Sequence, residues 1–150
     1  ERWRGRLFSE LGRSLLHRDL AFPAPPWFRE GVASCLEAAG RAGALDAAFP
    51  GLAERVAALA ESGSLPDLPA VLSATDADFL REEALDLRAA SWGYLHVMLF
   101  GKGLATQAYR KWTKSVAAAR ERAPAFDTKG LERVREELAK HAARLWGGKG

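Results

Sequence analysis

The residues best placed for chemistry are two carboxylates and their neighbours. One lies in Ser9-Glu10-Leu11-Gly12-Arg13, the other in Pro25-Pro26-Trp27-Phe28-Arg29-Glu30-Gly31-Val32-Ala33. Positions four apart share a helix face. Residues 9 and 13 are therefore spaced as two zinc-binding imidazoles would be, with an acid beside the first to polarise an attacking water. The residues present cannot do this. A serine hydroxyl is a poor zinc ligand, and a guanidinium is cationic with no lone pair to offer. The expectation is a chain that binds no zinc and uses no cofactor. His17 falls one turn beyond Arg13. Its reach to an ion shared with Glu10 and Glu30 is long, because Glu10 and His17 are about two turns apart. It reads as a surface or loop-facing histidine. Ser9, Glu10, Arg13, His17 and Glu30 together define the candidate cleft.

The remaining reactive side chains have plainer readings. His96 lies in an apolar stretch and reads as a satisfied core histidine. His141 lies among charged residues and is expected to be exposed. Cys35 occupies an apolar helix position, where a buried inert thiol is expected. Trp27 and Trp92 read as core anchors. Lys102, Arg110, Lys111 and Lys114 share an outward helix face, and solvation explains them without a phosphate ligand. No Gly-rich phosphate loop or groove-reading motif occurs.

The elements that must position these residues are helical. Ala, Leu, Arg and Glu dominate and β-branched residues are scarce, which favours helix over strand. Trp3, Leu7, Phe8, Leu11, Leu15 and Leu16 recur at three- and four-residue spacing, predicting a helix over 2–18. Gly12 inside it costs about 1 kcal/mol against Ala, a cost with a reason if another element approaches there. Pro23, Pro25 and Pro26 exclude helix before residue 26, and Pro26 suits a first turn. Further helices are predicted over 26–39, 44–49, 52–61, 82–100, 104–120 and 129–146. Short turns capped by Asp67 and by Thr75 or Asp76 lie between them. The stretch 82–100 is the most hydrophobic and is placed centrally. The fold class expected is all-α or mainly α, as one domain over 1–150.

Composition sets outer bounds. The chain has 150 residues, 48% hydrophobic and 27% charged, as an ordinary globular domain does. Its net charge of +3 comes from 22 basic residues interleaved with 19 acids, so nucleic acid is not the expected partner. A single cysteine excludes an internal disulfide. No run of 18 apolar residues is present to span a membrane. The sequence opens on Glu1 already in a helical pattern, and reads as a domain cut from a longer chain.

Several short motifs in order resemble the gluzincin branch of zinc peptidases, specifically the peptidase-MA-like bacterial domains of unknown function. Pro26-Trp27-Phe28-Arg29-Glu30-Gly31-Val32-Ala33 is similar to that family's second conserved helix. Gly63-Ser64-Leu65-Pro66-Asp67-Leu68 resembles its linker. Ala90-Ser91-Trp92-Gly93-Tyr94-Leu95-His96 resembles a later helix, and Leu131 to Trp146 its closing helix. The resemblance implies the helical part of a gluzincin-like domain, with Glu10 at the general-base position and Glu30 at the third-ligand position. It also implies Ser9 and Arg13 in place of the two histidines. If the helices pair as in the family, Arg13 stands beside Glu10 and Glu30 and neutralises them. Members are often exported or envelope-associated, which implies a similar location.

The function expected is a non-catalytic, metallopeptidase-like module that is structural or binds a protein or peptide in the former cleft. Two alternatives stand beside it. One is a zinc metallopeptidase with non-standard ligands such as His17. The other is a basic helical module that binds nucleic acid or an anionic surface.

Overall fold

The structure is a computed structural model that describes residues 22–146 together with Leu7, Gly12 and Leu20. Among these residues it contains seven helices and no strand. They are α1 (Pro26–Ala42), α2 (Pro50–Glu61), α3 (Leu68–Ser73), α4 (Asp76–Leu80), α5 (Leu85–Phe100), α6 (Leu104–Ala118) and α7 (Val134–Leu145). The fold class is all-α, as the composition and periodicity indicate.

α5 is the axis of the molecule. Every residue from Ala89 to Met98 is buried, so this helix is apolar on all sides, the pattern of a helix surrounded by others. α1, α2, α6 and α7 all pack on it. Two glycines let them come close. A Cβ on Gly31 of α1 would stand 3.0 Å from Leu95 Cδ2 and 3.1 Å from the Ser91 carbonyl oxygen on α5. A Cβ on Gly93 would meet Leu138 of α7 at 3.1 Å and Val56 of α2 at 3.2 Å. α5 is thus gripped from several sides, at its own Gly93 and at Gly31 of α1.

The helix ends follow local chemistry. α1 starts with Pro26 in its first turn and stops at Gly43, whose φ of 77° is the left-handed value that glycine adopts without strain. Asp67 caps α3 by accepting a hydrogen bond from the Ala70 amide at 2.9 Å. Thr75 and Asp78 form a reciprocal capping box on α4.

Four expected helices are shorter or absent, the one predicted over 104–120 ending at Ala118. Residues 44–49 form a turn and an extended segment rather than a helix. Pro50 disfavours the helical region for Phe49, and six residues between Gly43 and Pro50 are too few to nucleate a helix unaided. Pro50 instead opens α2. The last helix begins at Val134, not 129. Asp127 accepts from the Lys129 amide at 3.0 Å, and Gly130 has φ 80°, so residues 127–130 turn rather than coil. Residues 82–84 likewise turn before α5. Leu7 belongs to an apolar stripe by spacing, and Leu85 and Leu99 lie in the most hydrophobic stretch, but they are 48%, 51% and 38% exposed.

An aromatic cluster fixes the start of α1. Trp27 lies 5.5 Å from Phe28, 5.4 Å from Trp112 of α6 and 5.8 Å from Phe126, measured between ring centroids. Trp112 Nε1 donates to the Pro124 carbonyl at 3.0 Å, which ties the 119–133 connection to the same cluster. Trp27 and Trp92 are both core anchors, 2% and 0% exposed.

Candidate functional site

Two regions hold the residues with chemical potential: the start of α1, and the space between the end of α5 and α7.

At the first, the aromatic cluster and the Gly31 crossing hold α1 against α5 and so fix the placement of Glu30. Glu30 is the fifth residue of α1, one position past the first turn. Its side chain is 15% exposed, and its Oε1 lies 3.9 Å from Arg29 Nε. Arg29 reaches the other way to pair with Asp76 at the start of α4. Gly12 is buried against this helix. A Cβ added there would stand 2.3 Å from Leu36 Cδ1 and 3.8 Å from Val32 Cγ1. The glycine at position 12 therefore has a reason for its cost in a helix: the Leu36 side chain of α1 occupies the space a Cβ would take. Ser9, Glu10, Arg13 and His17 lie outside the described residues, and so does the expected pairing of Arg13 with Glu10 and Glu30. Among the described residues no group of three or more His, Cys, Asp or Glu side chains is placed to hold a metal ion.

Cys35, about one and a half turns past Glu30 on α1, is buried, and burial pushes its thiol up to about 12. It stays protonated and unreactive at neutral pH.

At the second region two histidines meet. His96 on α5 and His141 on α7 are 2% and 7% exposed. His141 is therefore not the surface residue its charged neighbours suggest. Its position explains why. Val134, Leu138 and His141 recur at four- and three-residue spacing, so His141 continues the apolar stripe that packs on α5. This spacing is the signal in the sequence that identifies it as buried.

The hydrogen bonds fix the protons. His96 Nε2 is 3.0 Å from the Asp46 carbonyl oxygen, and His96 Nδ1 is 3.1 Å from His141 Nε2. A carbonyl only accepts, so His96 Nε2 carries the hydrogen. Burial lowers the pKa of His96, which is neutral at pH 7 with Nδ1 as an acceptor. His141 Nε2 must then donate to it. His141 is pushed down to about 4 by burial first, then by the facing His96 and Arg144. Its Nδ1 is left as a lone pair with no hydrogen bond among the described residues. Trp92, Phe100 and Trp146 surround the pair, with centroids 4.8–5.4 Å from the His96 ring. His96 is a satisfied core histidine, as its apolar setting indicates.

Comparison with family models, with curated proteins and with solved structures finds no match.

Lys102, Arg110, Lys111 and Lys114 are all exposed, and the last three behave as a solvated face. Lys111 lies 3.9 Å from Asp127, a loose surface pair of little energetic weight. Among the described residues no helix is long and apolar enough to cross a membrane.

Proposed function

We propose that this chain is a metallopeptidase-like domain without metal chemistry, working as a structural or peptide-binding module. The observation that supports the reading most is the close seating of Gly12 on the helix that carries Glu30. In sequence, Ser9 and Glu10 precede Gly12 by three and two positions and Arg13 follows it. The residues that replace a zinc-binding pair thus flank a point of contact with the helix bearing the remaining acid. A guanidinium at position 13 neutralises Glu10 and Glu30 where a cation would otherwise be needed, because a buried acid without a partner is costly.

The test is metal analysis joined to a peptide-binding screen. Protein purified without chelators is expected to carry no stoichiometric zinc, to cleave no member of a peptide library, and to bind a subset of it. Binding should weaken when Glu30 is replaced by Gln. One zinc per chain, or hydrolysis that chelator removes, would overturn the reading in favour of a zinc enzyme using His17 or other ligands.

A further inference from the structure

The end of α5, the Gly101–Gly103 linker and one face of α7 enclose an open cleft of about 550 Å³, within the usual range for a small-molecule site. Its charge pattern is two-sided. Lys102, Lys140 and Arg144 line it as cations, and among the described residues none of them forms an ion pair. Glu137 and His141 line it as acceptors. Glu137 reaches across to the start of α6: a Cβ on Gly103 would stand 2.7 Å from its Oε2. Gly103 is the N-cap of α6 and offers no side chain of its own to the free amides there. A carboxylate therefore already stands where a helix start favours negative charge. His141 is 93% removed from solvent by the packing of α7 on α5. The chain of hydrogen bonds from the Asp46 carbonyl leaves its Nδ1 able only to accept.

Three unpaired cations and two acceptors in one cleft call for a ligand with an anionic end and a hydroxyl-bearing end. We propose that this cleft binds a small phosphorylated polyol, of which a sugar phosphate is the type. Lys102, Lys140 and Arg144 hold the phosphate, while Glu137 and His141 Nδ1 accept hydrogen bonds from the hydroxyls. Phe100, 38% exposed, lines the same cleft and offers an apolar wall to the carbon face of the ring. The site is separate from the Glu30 region, so this inference stands whether or not the proposed module role holds.

The experiment is calorimetric titration of the whole chain with glucose 6-phosphate, glucose and inorganic phosphate at pH 7.5 and low salt. Saturable binding of glucose 6-phosphate is expected, at least about tenfold tighter than either fragment, since each end adds its own contacts. The Lys140→Ala/Arg144→Ala variant changes only exposed residues and should fold normally. It should lose at least about tenfold in affinity for both phosphates. Glu137→Gln gives a readout that charge alone does not. It should weaken glucose 6-phosphate by replacing a charged hydroxyl acceptor with a weaker neutral one, yet tighten inorganic phosphate by removing a like charge. No saturable binding of glucose 6-phosphate, affinity equal to that of inorganic phosphate, or affinity unmoved in the double variant would each overturn the proposal.

Discussion

The start of α1 and the α5–α7 cleft are built on opposite principles. The first is dense with sequence signals: a proline pair, an aromatic pair, an acid at a fixed offset, and a glycine where another helix crosses. The second has no contiguous signal. Its two histidines stand 45 positions apart, and the carbonyl that orients them comes from a third segment. Motif reasoning therefore finds the first region and passes over the second. The contrast teaches that short motifs reveal what a helix start is built from. A polar network assembled by packing becomes visible only when the packing is known.

Experiments that break either region sharpen the comparison. The largest effect should come from α5, the helix on which both regions pack. Trp92→Ala empties a fully buried position on α5 beside His96 and Trp146, and should cost about 3–5 kcal/mol in urea unfolding. Next comes Arg13→Ala. If the guanidinium neutralises Glu10 and Glu30, its loss should destabilise the fold by about 2 kcal/mol or more. An unmoved thermal midpoint would remove the charge argument from the α1 region.

The histidine pair should give the cleft a pH signature that the α1 region lacks. His141 has a folded pKa of about 4 against an ordinary 6.5. The unfolded chain binds its proton first as pH falls, so the stabilising contribution is whole above about pH 6.5 and is lost towards pH 4. His96, lowered in the same direction, adds to the slope. Glu137, Lys140 and Arg144 face the same space. Allowing for the open cleft, a loss of about 2 kcal/mol is expected between pH 7 and pH 4.5. His141→Gln should flatten that part of the profile. Gly31→Ala should cost about 1 kcal/mol, because its methyl group would press on the Ser91 carbonyl oxygen and on Leu95. Smallest is Asp67→Ala, which removes the α3 cap at about 1 kcal/mol or less and should leave both regions intact.

Much of the fold was legible because it depends on local chemistry. The proline at the start of α1, the glycine at its end, the Asp67 and Thr75 caps and the all-round apolarity of α5 are read directly from residue types. The alanines of 44–49 favour coiling, but the proline after Phe49 acts on the backbone conformation and prevails. Asp127 can cap either a helix or a turn, and here it caps a turn, so α7 starts later than residue types indicate. Leu7, Leu85 and Leu99 show the limit of hydropathy: an apolar residue type does not say where the covering helices end. His141 has charged neighbours in sequence, yet its position on the Val134–Leu138 stripe decides its burial. Of the candidate cleft, Glu30 alone is placed, with Gly12 seated against its helix. Ser9, Glu10, Arg13 and His17 lie outside the described residues, so its chemistry rests on their identities in the sequence.

The most direct test of the account is a zinc titration of metal-free protein followed by calorimetry. The account predicts no saturable binding tighter than about millimolar, because position 13 holds a fixed positive charge and position 9 a weak donor. A tight one-to-one complex that disappears in Glu30→Gln would contradict it.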